Sequence, residues 1–310
     1  MHVADAVPTS NARANNTSMR AFQRTVLRYY RRHKRDLPWR RTHDPYRILV
    51  SEVMLQQTQV ERVIPKYRSF LARFPTLRAL AGARFADVLH EWLGLGYNGR
   101  ALRLWRCARA VVRENGGKLP ADVSWLERLP GIGAYTAAAV SAIAFGAHVP
   151  AVDVNVRRVL TRALSGRNDL SAPRVSQLAI AALPKSSAAE WSQALMDIGS
   201  MYCKASPRCN DCPLRASCAY VRAHRKRPSH AEPANVRMRA NVFIGSNRFY
   251  RGRVMRVLAI RKCMQVSALM REVKKGFSVT DGAWLQGVLA SLERDGLVRL
   301  DRARKIVRLP

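Results

Sequence analysis

Four cysteines fall within sixteen residues: Cys203, Cys209, Cys212 and Cys218, separated by five, two and five residues. Thiolates are soft ligands, and four of them converging on one point suit an iron–sulfur cluster or a structural zinc. Four-cysteine zinc sites usually pair two short C-x2-C knuckles across a longer loop. Here a single C-x2-C stands between two five-residue loops, which favours wrapping a larger object, a [4Fe-4S] cube. Zinc and a chance grouping are the alternatives. Cys107 and Cys263 stand alone and read as small buried or partly buried side chains.

Two carboxylates sit in apolar company. Asp153 lies in Val152-Asp153-Val154-Asn155-Val156, and Glu52 in Ser51-Glu52-Val53-Met54-Leu55-Gln56-Gln57-Thr58. Asp153 reads as a helix N-cap, as a functional charge, or as both. Glu52 reads as a surface residue between core positions or as a buried carboxyl, and burial keeps a carboxyl protonated to higher pH, which suits a general acid. Between them, Leu129-Pro130-Gly131-Ile132-Gly133 joins two helical stretches. Glycines at Gly131 and Gly133 permit a tight turn and close backbone approach, and the next helix then offers free N–H groups to an anion. This is the helix-hairpin-helix device for gripping a DNA phosphate, with a plain helix–helix turn as the bland alternative.

Composition points to the same partner. The chain of 310 residues carries 54 Lys and Arg against 21 Asp and Glu, a formal charge of +33. So lopsided a balance favours polyanions through counterion release. Hydrophobic content of 48% is enough for a full core. No apolar run approaches the roughly 20 residues of a membrane span. The polar start lacks a signal-peptide apolar block, and unpaired thiols fit a reducing, cytoplasmic compartment associated with the nucleoid.

The elements that must position these residues are helical from about 17 to 218. Helices are predicted over 21–32, 45–57, 65–74, 85–93, 101–115, 124–129, 134–145, 152–164 and 188–201, with short Gly- or Pro-marked links. No strand pattern or internal repeat stands out there. The composition shifts after Cys218. Helices over 250–260, 266–273 and 284–292 are followed by alternation over 297–300 and 305–309, the order of a winged helix.

In order, Leu37-Pro38-Trp39-Arg40, Ser51–Thr58, Gly94-Leu95-Gly96-Tyr97, Leu129–Gly133 with Tyr135-Thr136, Val152–Asn155 and the cysteines resemble a MutY-type adenine DNA glycosylase of the helix-hairpin-helix, endonuclease III superfamily. The resemblance covers about residues 20–220. It implies that Glu52 protonates the departing adenine and Asp153 stabilises the oxocarbenium-like sugar, with Tyr135 and Asn155 assisting. It implies that Trp39 and Arg40 rim the adenine pocket and that Gln56, Gln57 and Tyr97 insert near a base flipped from the stack. In the related lyases a Lys stands at the position of Tyr135 and forms a Schiff base with the sugar. A phenol cannot do this, so a monofunctional enzyme is expected.

Three departures accompany the resemblance. The family usually has six residues between its first two cluster cysteines, where this chain has five. Asn98 stands where a second Tyr often follows. The family's C-terminal Nudix-like domain is not recognisable, and the winged-helix-like segment stands in its place.

The expectation is therefore a mainly α fold with a disordered arm over 1–16 and an iron–sulfur domain from 17–45 with 150–220. A six-helix barrel with the hairpin over 46–149, a basic linker over 221–235 and a winged-helix-like α/β module over 236–310 complete it. The function expected is excision of adenine mispaired with guanine or 8-oxoguanine, by a monomer acting on double-stranded DNA. A thymine or uracil mismatch glycosylase of the same fold and a non-catalytic iron–sulfur DNA-binding protein are the alternatives.

Overall fold

The computed structural model describes residues 10–224, 245–274 and 281–310, with side chains described from Ser18 onward. Among these residues the helices are α1 Ser10–His33, α2 Pro45–Leu55, α3 Val60–Arg73, α4 Leu77–Gly82, α5 Phe85–Trp92, α6 Gly99–Asn115, α7 Val123–Glu127, α8 Ala134–Phe145, α9 Val154–Leu160, α10 Ala172–Ala182, α11 Ala188–Met201 and α12 Ala219–Ala223. There follow α13 Asn247–Arg261, β1 Cys263–Gln265, α14 Val266–Val273, α15 Gly282–Arg294, β2 Arg299–Asp301 and β3 Ile306–Arg308. The chain divides into two compact units, one of residues 1–43, 121–123 and 134–234, the other of 44–120, 124–133 and 235–310.

The first unit is organised by α1 and α11. Phe22, Val26, Tyr29 and Tyr30 recur at helical spacing and are buried, as are Trp191, Leu195 and Ile198 on α11. The Phe22 ring meets Trp191 edge-on at 5.7 Å. Each such side chain contributes roughly 1.5–3 kcal/mol when fully buried. Asp197 is on the same helix and only 1% exposed. It survives there because Arg35 reaches it at 2.7 Å and Arg40 holds both its oxygens at 2.7 and 3.0 Å. Arg40 thereby anchors the short 3-10 turn Pro38–Arg40 to α11.

In the second unit α2 opens with an Asp44 cap that accepts from the Tyr46 and Arg47 amides, with Pro45 at its first position. Tyr46 and the whole run Ile48–Met54 are buried, so α2 is enclosed on all sides, and Glu52 is enclosed with it. The C-terminal end of α2 is held by Arg100 of α6. One Nη donates to the carbonyls of Val53 (2.9 Å), Met54 (2.9 Å) and Gln56, while the other reaches Thr58 Oγ1 (3.0 Å), Leu95 O (3.4 Å) and Gly96 O (3.1 Å). The guanidinium is 4% exposed and has no carboxylate partner among the described residues. Burial pushes its pKa down to about 10, the nearby Arg103 charge adds to this, and Tyr97 opposes.

The C-terminal module belongs to the second unit, with α13 packed on α5. Its order is helix, strand, two helices, two strands, and β3 lies between β1 and β2 with both pairings antiparallel. Leu285, Val288, Leu289 and Leu292 of α15 are all buried, as their spacing requires. Strand β1 has no signal in the sequence because three residues are too few to show a period.

Several boundaries differ from the sequence expectation. The first helix already begins at Ser10, so 10–16 are helical where an arm was expected. Helix α3 begins at Val60, before Pro65, which sits inside it and forgoes one backbone hydrogen bond. Short α4 and α12, and α10, were not read from the sequence. Helix α9 does not run on as α-helix: Thr161–Ser165 form a π turn ended by Gly166 in the left-handed region. Cys107 is fully buried, and burial pushes its thiol up to about 12. Cys263 is exposed instead, at the start of the edge strand β1. Most of the expected basic linker lies outside the described residues, beyond His224.

Replacing Arg100 by Lys tests the hub. An ammonium is a point charge without a planar fork, so several buried carbonyls lose their donor. The expected loss is about 2–4 kcal/mol of unfolding free energy in a urea titration. A melt equal to the parent's would remove Arg100 as the tie between these loops.

Candidate active site and cysteine loop

Asp153 precedes α9 in extended conformation and caps it. Its Oδ1 accepts from the Asn155 amide at 2.9 Å and the Val156 amide at 2.7 Å. Its Oδ2 accepts from Asn155 Nδ2 at 2.8 Å. The cap and the functional charge are therefore one group: a partly exposed carboxylate whose rotamer is fixed by three donors, with a helix N-terminus behind it. Asn155 is fixed in turn. Its Oδ1 accepts from Arg158 at 2.7 Å, and the same Nη of Arg158 donates to Gly199 O at 2.9 Å. Arg158 Nε donates to the carbonyl of Cys203. A continuous polar chain thus runs from the first cysteine, through Arg158 and Asn155, to Asp153.

Gly199 allows this. A Cβ placed on it would stand 2.6 Å from Asn155 Cβ and 3.0 Å from Asn155 Cα and O. Only a glycine on α11 lets α9 pack so closely that Arg158 can reach across. Arg158, Gly199 and Asp197 were all missed in the sequence. A lone glycine inside a helix is the one signal that could have pointed to such an approach.

The cysteine loop follows α11. Arg162, one helical turn beyond Arg158, donates to Lys204 O at 2.6 Å, to Ala205 O at 3.4 Å and to Cys203 Sγ at 3.8 Å. Cys218 Sγ donates to the Arg162 carbonyl at 3.9 Å. Leu214 is 2% exposed and pins the middle of the loop in the core of the unit. Burial raises the Cys209 thiol, and the neighbouring Cys218 and Cys203 add to that. Burial pushes Cys212 up to about 11, opposed by the Leu214 amide and reinforced by Cys203, Cys218 and Cys209. Four partly buried cysteines on one loop, with Arg162 beside the first of them, are soft donors of the kind a metal centre takes, and binding a metal would displace the thiol protons. No group of three or more His, Cys, Asp or Glu side chains among the described residues is placed to hold a single metal ion.

Tyr135 begins α8, and its hydroxyl donates to Met196 Sδ of α11 at 3.7 Å. Trp39 is buried. Arg40, expected at the rim of a base pocket, is engaged otherwise: its side chain is 8% exposed and donates both Nη to Asp197, while its guanidinium lies 5.4 Å from the centre of the Tyr30 ring. The carboxylate of Asp197 takes the fork that a base would need.

In the second unit Glu52 is 7% exposed. Gln56 follows α2, and Gln57 is exposed with φ 55°; Tyr97 is 45% exposed with φ 48°. These two non-glycine residues in the left-handed region each cost of order 1–3 kcal/mol, and Arg100 holds the loops that carry them. The hairpin glycines differ. Gly131 has φ 81°, and a Cβ there would meet Arg103 Cβ at 2.6 Å, so the turn itself demands glycine. Gly133 has nothing within 4 Å of such an atom.

Comparison with known proteins identifies the chain. A family model described as "HhH-GPD superfamily base excision DNA repair protein" matches residues 50–184. The adenine DNA glycosylase of Mycobacterium tuberculosis is 41% identical over 279 residues, 88% of each chain. That of Mycolicibacterium smegmatis is 42% identical over 278 residues, 88% of this chain and 91% of its own. A solved thermostable thymine-DNA glycosylase superposes with a TM-score of 0.64 at 30% identity, covering 68% of this chain and 99% of that one. The chain belongs to the adenine DNA glycosylase family of the HhH-GPD superfamily.

Gly199→Ala forces α9 and α11 apart at Asn155. The expected result is a loss of at least about 2 kcal/mol of stability together with a lowered single-turnover excision rate in the fraction that remains folded. Parental stability and rate would show that the close approach is dispensable.

Proposed function

We propose that this member of the adenine DNA glycosylase family hydrolyses the N-glycosidic bond of adenine mispaired with guanine or 8-oxoguanine in duplex DNA, as a monofunctional enzyme acting as a monomer. The observation that carries the reading is the carboxylate of Asp153, partly exposed and held by three donors. Loss of a base from deoxyribose develops positive charge on the sugar and negative charge on the leaving base. A carboxylate whose oxygens are fixed beforehand stabilises the sugar cation without reorganising at the moment of bond breaking. Asn155 is the positioning residue for that carboxylate. Glu52 is the proton donor to the base, since a carboxylic acid enclosed in α2 has few competing water molecules. Tyr135 replaces the lysine of the lyases, so water and not the protein takes the sugar carbon.

The hairpin supports DNA binding: Gly131 closes the turn, and the open space beside Gly133 admits a phosphate. Gln56, Gln57 and Tyr97 serve as the residues that wedge at the vacated base, and the left-handed backbones of Gln57 and Tyr97 fit a pre-set, strained tip. Trp39 belongs to the base pocket, with Arg40 supporting it through Asp197. The chemistry of the donor set supports a [4Fe-4S] cluster on Cys203, Cys209, Cys212 and Cys218, which contributes positive charge and rigidity to its loop. On this reading the iron–sulfur domain takes in most of the first compact unit, and the barrel is drawn from the second unit together with α8 of the first.

The rival substrate, thymine or uracil opposite guanine, draws support from the solved thymine-DNA glycosylase. That likeness rests on 30% identity over 68% of the chain, against 41% over 88% for the adenine enzymes.

The deciding assay is single-turnover excision on duplexes bearing A, T or U opposite guanine or 8-oxoguanine. Strand breaks at adenine, appearing only after alkali, are expected. Breaks without alkali would exclude the monofunctional reading, and breaks at thymine would favour the rival. Asp153→Asn keeps a side chain able to cap α9 but sets an NH2 group against Asn155 Nδ2 and removes the charge. It should cut the rate by about 10²–10³ while duplex binding persists. Glu52→Gln should cut it by about 10²–10⁴. As purified, the protein should be brown and hold about four irons per chain by metal analysis, whereas one zinc and no colour would remove the cluster.

A further inference from the structure

Within the second unit a cleft of about 1020 Å³ opens between the Gly94–Gly99 turn and one side of α13. Arg62 and Arg103 line one wall, and Arg248, Arg251, Arg253 and Arg256 line the other, with Asp295 as the acid among them. Arg251 is bonded to that acid and to Ser291. Arg103 and Arg256 are exposed, and neither has an ion pair among the described residues. Arg248 lies over the exposed Tyr97 ring, 4.6 Å from its centre, at the edge of the cleft. Among the described lining residues six arginines stand against one carboxylate; Arg62 and Arg253 also donate to the carbonyls of Gly94 and Glu272, and the excess of positive charge is of the kind a bound polyanion offsets.

The shape narrows the ligand. Arg248 and Arg256 are eight residues apart on one helix, about 12 Å along its axis. That is the rise of three to four nucleotide steps at about 3.4 Å each along one strand. A single phosphate would need two or three of these side chains. Gly252 stands between them in the middle of α13, lines the cleft, and would meet nothing within 4 Å if it carried a Cβ. Glycine inside a helix costs about 1 kcal/mol relative to alanine, so packing gives no reason for it, whereas close approach of a ligand backbone does.

We propose that this cleft seats the phosphodiester backbone of one DNA strand beside the excised nucleotide, so that the C-terminal module is part of the substrate-binding surface. The placement beside the lesion rests on the reading of Tyr97 as a wedge. Guanidiniums recognise phosphate through their planar fork, Gly252 lets the backbone lie against α13, and Arg248 ties the module to the residue that enters the stack.

The test is fluorescence anisotropy with a fully paired, undamaged duplex at 50–400 mM salt, on the full-length chain. One variant removes charge, Arg248→Gln with Arg256→Gln. The other removes space, Gly252→Leu, and Gly252→Ala serves as the fold control because both introduced residues are better helix formers. The charge variant should bind at least about tenfold more weakly near physiological salt, with the slope of log K against log salt reduced by about two. Gly252→Leu should bind several-fold more weakly while melting no lower than the parent. Parental binding by both variants overturns the proposal. Weakening by one alone also overturns it: charge alone means a diffuse basic surface, bulk alone a ligand other than a phosphate backbone. Adenine excision by the parent, read separately on the mispaired duplex, reports on the enzymatic reading independently of this comparison.

Discussion

The Asp153 carboxylate is held by a chain of contacts that links α9, α11 and the cysteine loop. Asp153 has two oxygens and three donors, and none of the donors is accidental. Two are backbone amides that exist only because α9 starts there. The third is Asn155, whose orientation depends on Arg158, whose reach depends on the glycine at 199. An oxygen engaged before the reaction begins need not be reoriented when charge develops, which is the physical content of preorganisation. The same arginine bonds the first cysteine's carbonyl. Whatever fixes the cysteine loop therefore bears on the carboxylate through two side chains.

Buried arginines do this kind of work throughout the chain. Arg100 is enclosed without an acid among the described residues; its two Nη atoms donate to carbonyls and to the Thr58 hydroxyl while its Nε has no partner there, so its charge is spread over the loops that carry those acceptors. Arg40 is enclosed with an acid, Asp197, which the half-buried Arg35 also reaches, and the pair secures the 3-10 turn to α11. Arg162 gathers the cysteine loop. An arginine can serve three or more acceptors in one plane, which a lysine cannot. The charge excess of +33 is thus not wholly a surface property. Part of it is structural, and six arginines line the cleft beside α13.

The C-terminal module shows how a fold can extend a surface without an independent domain. Its first helix packs on α5, and its three-stranded sheet is minimal, so its stability depends on the helices of the second unit as well as on its own core. That dependence sets Arg248 against Tyr97 and makes the arginines of α13 and α6 two walls of one cleft.

Local chemistry was legible in the sequence. Cysteine spacing, the L-P-G-x-G turn, the Asp153 cap and the apolar face of α15 each depend on residues close together in the chain, and each appears where its pattern places it. Short elements were not legible, because α4, α12 and β1 span too few residues to display a period. Nor could the sequence say which arginines are buried. Arg40 and Arg100 look like any of the 54 basic residues until the acceptors that claim them, 157 positions away for one and about 45 for the other, are brought into contact. The same holds for Gly199 and Gly252, one needed because a neighbour is too close and the other standing where there is none. Sequence by itself determined which chemistry the chain could perform, because reactive groups and their spacing are covalent facts. Only the tertiary structure decided which charges are held, which are free, and which backbone comes near which, because burial and distance are properties of the packed chain.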